Sequence, residues 1–362
     1  MATEGGLAPW LEGALAGLAG VLPGIPALVA GSTALPLALT SLVGIEWAPG
    51  DPQTALSLHI QVAPGSGKWL DDVAAASELH DPAGLGLDHL QEVISQGLAG
   101  SERGFVCEAN NAGSYRLTAI YTHIASGGDA WRRLVSVCEV LAVSPATVAA
   151  LESRPALHRP SHVGVMAQRH GRPSARLVFH AKPKDEDLWA AMASLPQAPK
   201  QAIADACAWL DDQGRVENIH VNIDVHEGRC GSRLGVELPF RSSAARAVGA
   251  SADLAEPHDK ALAAELVKRG YFDGRQLDSL LQWQGRRLVD RQALALPVTQ
   301  MLTALASGQG SIELRTINHI KLVFDQEQET SAKAYLKVAR VPARLRPPAD
   351  NPNDPRGELA TS

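Results

Sequence analysis

Apolar and polar side chains alternate in five stretches of the chain, each broken in its middle by a short run of turn-forming residues. They are LVGIEW-APGDPQ-TALSLHIQV (Leu42 to Val62), GFVCE-ANNAGS-YRLTAIYTHI (Gly104 to Ile124), HVGVMAQ-RHGRPS-ARLVFHAK (His162 to Lys182), IHVNIDV-HEGRCG-SRLGVELPF (Ile219 to Phe240) and IELRTINHIKLVFD-QEQET-SAKAYLKV (Ile312 to Val338). Period-two alternation on both sides of a Gly/Pro/Asp/Asn turn predicts a β-hairpin in each. Between the hairpins the apolar spacing changes to three and four, which predicts helices. These run from Asp129 to Glu152 with a break at Ser144-Pro145, from Asp185 to Leu210 with interruptions near Pro196 and Pro199, from Lys260 to Leu281, and from Val298 to Leu305. Asp71 to Leu98 predicts two helical pieces around Pro82.

The stretch from Leu7 to Val43 is apolar, but no Lys or Arg precedes it, Glu4 and Glu12 interrupt it, and Pro23, Pro26 and Pro36 break it. That pattern excludes a signal peptide and a membrane span, and predicts a helix near Trp10 to Leu22, a turn, and a second apolar helix. The expected organisation is a helical segment over 1–41 packed on a hairpin-helix repeat over 42–340. The Pro, Asn and Asp run beyond it predicts a disordered tail over 341–362.

Successive strand residues face opposite sides, so each hairpin sorts its side chains. One face is apolar: Leu177, Phe179 and Ala181; Ile219, Val221, Ile223 and Val225; Leu234, Val236 and Leu238; Ile320, Leu322 and Phe324; Ala334, Leu336 and Val338. The opposite face carries Glu46, His59, Arg116, Thr118, Thr122, His162, Arg176, His180, His220, Asn222, Asp224, Arg233, Glu237, His319, Lys321, Lys333, Tyr335 and Lys337. Helices on one side of every hairpin, with polar groups on the other, predict an α/β fold. Its sheet is expected to be a ten-stranded antiparallel β-barrel of five β-hairpins, with an outer layer of helices and a polar lumen, since closure removes the exposed edges.

Composition narrows the function. Of the 362 residues 45% are hydrophobic and 20% charged, with a net charge of -6, which argues against a nucleic-acid binder. The four cysteines (Cys107, Cys138, Cys207, Cys230) lack metal-ligand or framework spacing and fit a reducing, cytoplasmic setting. Neither a cofactor nor a metal is expected. Lys68 follows a glycine-containing loop that lacks the full phosphate-loop spacing.

The hairpin-helix alternation, the lone acid in Gly44-Ile45-Glu46-Trp47, and the late strands Ile320-Lys321-Leu322 and Lys333-Ala334-Tyr335-Leu336 resemble the ABBA prenyltransferase barrel. The resemblance covers roughly Leu42 to Arg340. It implies that Glu46 holds or deprotonates an acceptor, and that Arg116, Arg176, Arg233, Lys321 and Lys333 bind an allylic diphosphate without Mg²⁺. Tyr335 would join the aromatic collar that shields the carbocation. By strand parity Phe179 and Phe324 point outward, Tyr121 is out of phase with Arg116, and only Tyr335 points in.

Two functions follow as expectations. The first is a non-catalytic protein that holds a precursor peptide or its leader for a ribosomal-peptide pathway of the crocagin type, with a modifying enzyme of that pathway as a further partner. Its ligand-binding residues would be Arg116, Arg176, His180, His220, Asp224, Arg233, His319, Lys321, Lys333 and Tyr335; six inward cations against three acids suit an anionic peptide. The second is a metal-independent prenyltransferase acting on a peptide or aromatic acceptor, with Glu46 as its catalytic residue. A third possibility is a metal or acid-base site built on His59, His162, His180, His220 and His319.

Overall fold

The computed structural model describes residues 7–34, 40–49, 56–62, 103–109, 115–124, 130–140, 145–153, 160–166, 174–181, 190, 219–226, 229–240, 257–288, 311–325 and 331–342. The chain opens with helices α1 (Leu7–Leu15) and α2 (Ile25–Gly31). Strands β1 (Thr40–Trp47), β2 (Ser57–Val62), β3 (Arg103–Ala109) and β4 (Tyr115–His123) follow. Then come helices α3 (Ala130–Val140) and α4 (Pro145–Glu152) and strands β5 (Pro160–Met166), β6 (Ser174–Ala181), β7 (Ile219–His226) and β8 (Arg229–Pro239). Helices α5 (Pro257–Lys268) and α6 (Gly274–Trp283) precede β9 (Gly285–Leu288), β10 (Ser311–Asp325) and β11 (Ser331–Pro342). The helices expected over 71–98, 185–210 and 298–305, and the tail from 343 on, lie outside the described residues.

The chain divides into two compact units, Met1–Gly285 with Arg315–Val338, and Arg286–Leu314 with Ala339–Ser362. In the first, a curled antiparallel sheet runs in the order β11-β1-β2-β3-β4-β5-β6-β7-β8-β10, and β11 also pairs with β10. The short β9 extends the order beyond β10 to eleven strands. It was not expected, because Gly285-Arg286-Arg287-Leu288 offers no alternating pattern.

The apolar face of this sheet is the core. Phe179, Val221, Leu238, Ile320, Leu336 and Val338 are completely or almost completely buried in one cluster with Leu11, Leu15 and Leu28 of the N-terminal helices. Aromatic contacts fasten the helical layer to strands: Trp131 of α3 lies 6.0 Å from Phe179, and Trp47 of β1 meets the edge of Phe272, in the turn between α5 and α6, at 5.8 Å. Each buried ring contributes on the order of 2 kcal/mol. Asp273 caps α6, accepting from the backbone N–H groups of Arg275 and Gln276, and Trp283 at its far end donates to the carbonyl of Ala14. No helix among the described residues is long and apolar enough to cross a membrane.

A bulge changes the expected faces. In β3 and β4, Val106 is opposite Ala119 but Cys107 is opposite Leu117, which leaves Thr118 unmatched. One extra residue turns every later side chain of the strand to the other face. Tyr121, expected to point outward, therefore lies on the inner face, where it lines a cavity.

Candidate functional site

Two carboxylates of the inner face, Glu46 and Glu237, are each gripped by side chains from neighbouring strands. Glu46 of β1 accepts from Lys333 Nζ on one oxygen and from Tyr335 Oη at 2.6 Å on the other, while His59 Nε2 of β2 lies 3.4 Å away. Burial would raise this carboxyl, but the Lys333 ammonium and then His59 outweigh it and hold it well below the usual carboxylate range. Burial and the Glu46 charge push the Tyr335 phenol well above its ordinary value, so it remains a donor.

The second centre surrounds Glu237 of β8. Its oxygens meet His220 Nδ1 at 3.2 Å, Asn222 Nδ2 at 2.9 Å, Lys321 Nζ at 3.5 Å and His319 Nε2 at 3.8 Å. Burial opposes its ionisation, but His319, His220 and Lys321 together keep it well below the usual range. Register places His180, His220, Glu237 and Lys321 directly opposite one another on β6, β7, β8 and β10. His220 Nε2 continues the row to His180 Nδ1 at 2.8 Å. Burial pushes His319 down to about 4; burial and the nearby Arg176 charge push Lys321 down to about 7.

Arg176 forms the third grouping. Its Nε and Nη2 donate to the two oxygens of Asp224 at 2.6 and 2.8 Å, and its Nη1 donates to Tyr121 Oη at 3.4 Å. Both charged side chains are under a tenth exposed (8% and 5%), so this is a buried, bidentate pair. Burial works against the guanidinium charge, but Asp224 raises its pKa well above the ordinary value.

Two glycines make these reaches possible. Gly164 lies between Tyr121 and Arg176 across the strands, and a methyl group there would come within 2.6 Å of the Tyr121 ring. Gly235 lies opposite Asn222, and a methyl group there would come within 2.5 Å of Lys321 Cε. Tyr121 and Lys321 thus lie across gaps in the pleat. Lys321 reaches Asn222 Oδ1 at 2.6 Å by this route.

A cavity of about 300 Å³ opens on the inner face, lined by His59, Tyr121, His162, His220, His319 and Tyr335 among others. Tyr335 stacks on His319 at 4.2 Å. Beside it a cleft of about 40 Å³ is bounded by Arg176, Asp224, Arg233, Lys321, Lys333 and Tyr335. Among the expected site residues the structure thus gathers Glu46, Lys333 and Tyr335 at one centre and His180, His220, His319 and Lys321 at the other. Arg176, Asp224 and Arg233 meet in the cleft; His180 stands exposed at the end of its row. The Arg116 side chain lies outside the described residues, though its backbone in β4 is opposite Glu108. Sequence reasoning put Glu237 and Asn222 on the polar face without giving them a role, and it missed Tyr121, Gly164 and Gly235. Glycine at inward parity was the one available signal. Among the described residues no group of three or more His, Cys, Asp or Glu is arranged to hold a metal ion.

No protein-family model matches the chain. Nor does any curated protein. Solved structures do. The 5-dimethylallyl tryptophan synthase from Streptomyces coelicolor, in complex with DMASPP and Trp, is similar over 96% of this chain and 99% of its own, with 14% identity and a TM-score of 0.56. The apo form of the prenyltransferase PriB is similar over 96% and 100%, with 16% identity and a TM-score of 0.58. NotF in complex with brevianamide F and DMSPP is similar over 96% and 97%, with 11% identity and a TM-score of 0.55. Through nearly its whole length, the chain has the fold of the ABBA-type aromatic prenyltransferases.

Proposed function

We propose that this chain moves an allylic group from a prenyl diphosphate to an aromatic acceptor, inside a barrel closed by the ten strands β1 to β8, β10 and β11. The observation that carries the reading is Glu46: an ionised carboxylate on the inner face, beside a cleft bounded by Arg176, Arg233, Lys321 and Lys333. A carboxylate offers about four lone-pair sites. Lys333, Tyr335 and His59 approach three of them, which leaves room for the N–H or O–H of an acceptor. The pairing of β11 with both β1 and β10 supports closure. The similar structures in complex with DMASPP or DMSPP and with tryptophan or brevianamide F support the substrate class.

In the reaction the bond from the allylic carbon to the diphosphate oxygen breaks, and the cations hold the departing anion. The π faces of Tyr121 and Tyr335 stabilise the carbocation. An acceptor carbon oriented by Glu46 closes the new bond, and the ring proton passes to the departing diphosphate, which restores aromaticity. The test is calorimetry with dimethylallyl diphosphate, followed by mass analysis of a reaction with tryptophan or a tryptophan-containing peptide. A prenylated product supports the reading; no binding of any prenyl diphosphate removes it.

A second reading has its own observation. Arg176, Lys321 and Lys333 each already meet a carboxylate, as a polar interior built for binding alone would allow. In that reading the chain holds an anionic precursor peptide or leader for a modifying enzyme. Binding of such a peptide, without turnover of any prenyl diphosphate, would select it.

A further inference from the structure

We propose that Asp224 is an internal competitor for the anion cleft, and that it keeps singly anchored anions out at concentrations where a diphosphate binds. The inference rests on the diphosphate-binding reading above. Asp224 stands directly opposite Arg176 on adjacent strands, so no backbone movement is needed to bring the pair together. Its two oxygens occupy Nε and Nη2 in the parallel, two-bond geometry that a phosphoryl group would use. While it does so, the guanidinium edge that a phosphoryl group would take is occupied. Asp224 is the acid on the cleft wall that an anion must approach to reach Arg176.

The exchange favours an anion only if that anion gives Arg176 more than the carboxylate does. Inorganic phosphate replaces one bidentate partner by another and gains little. A diphosphate has a second phosphoryl group, which can engage Lys321, Lys333 or Arg233 on the same cleft wall while the first holds Arg176. Displacing Asp224 costs every anion alike, so the second phosphoryl group supplies the discrimination and Asp224 sets the affinity below which an anion stays out.

The experiment is calorimetry of wild type and Asp224→Asn with dimethylallyl diphosphate and, separately, with inorganic phosphate. The expected result is at least tenfold tighter binding of both anions by D224N, with the ratio between them little changed. In an R176Q background the same substitution should gain less than threefold. Because D224N leaves a buried guanidinium less well partnered, a second measurement uses the wild type. The Arg176 Nε–H resonance should move when diphosphate is added and stay in place with phosphate at equal concentration. If wild type binds diphosphate and D224N binds it no more tightly, or the Arg176 resonance stays fixed, the competitor role is overturned while the diphosphate reading stands. If neither protein binds any diphosphate, both fall.

Discussion

The Glu46 and Glu237 centres use the same materials in opposite ways. Both are inner-face carboxylates held ionised against burial, and each has a lysine and at least one histidine beside it. Around Glu46 the donors are a lysine and a phenol that stays protonated, which makes a fixed anion. Around Glu237 the neighbours titrate near or below neutrality: Lys321 at about 7 and His319 at about 4. His220 links that cluster to His180 at the exposed end of the row. Groups of the same type therefore give a constant charge at one centre and an adjustable one at the other, because burial weighs more heavily on Lys321 and His319 and Lys321 also feels the Arg176 charge.

The largest effect that would break the contrast is on chemistry. Glu46→Gln should lower transfer to an aromatic acceptor by two to three orders of magnitude, read in single turnover, while dimethylallyl diphosphate affinity does not fall. An equal loss of affinity would mean that Glu46 serves the cations and not the acceptor.

Acid stability comes next. In the folded chain His319 stays neutral down to about pH 4, whereas the unfolded value is 6.5. Between those values the unfolded state binds more protons, so stability falls as pH drops through the window, by up to ~3 kcal/mol. Lys321 acts in the same sense at higher pH, adding stability as pH rises from about 7 to 10.5. Chemical denaturation from pH 7 to 4 should show the loss, and His319→Gln should flatten it. An unchanged slope in that variant would place the sensitivity elsewhere.

The glycines give a smaller, more local test. Gly235→Ala forces Lys321 away from Asn222, and Gly164→Ala forces Tyr121 away from Arg176. Each should cost about 1–3 kcal/mol in urea denaturation, as overpacking does. G235A should also alter the pH slope, and G164A should leave it alone. Smallest is Asp273→Ala, which removes the exposed α6 cap and should cost about 1 kcal/mol with ligand binding unchanged.

Much of this architecture is written in local periodicity, and the parts that are not have a physical reason. The strand pairs at 40–62, 103–123, 160–181, 219–239 and 311–342 fall within a few residues of the alternating stretches, because alternation is the direct imprint of a two-sided sheet. Helices α3 and α4 separate where Ser144-Pro145 predicts a break. Tyr121 was misplaced because nothing in YRLTAIYTH marks Thr118 as the unmatched residue; a bulge depends on the partner strand. The site was legible as a set of residues on one face and not as partnerships. Whether Arg176 meets Asp224 or a ligand depends on register between separate hairpins, and their sequences carry no record of it.

The pairing of β11 with β1 also orders events in time. Glu237 finds His220 and Asn222 only 17 and 15 residues away. Glu46 waits for Lys333 and Tyr335, 287 and 289 residues later in the chain. On the ribosome His59 is the early neighbour of its carboxylate, and Lys333 and Tyr335 come only with β11, after almost all of synthesis. Closing so long a loop is slow, and the contact order of this centre is high. The protein therefore acquires its fixed anion last, and a nascent chain stalled before β11 would carry the adjustable centre alone.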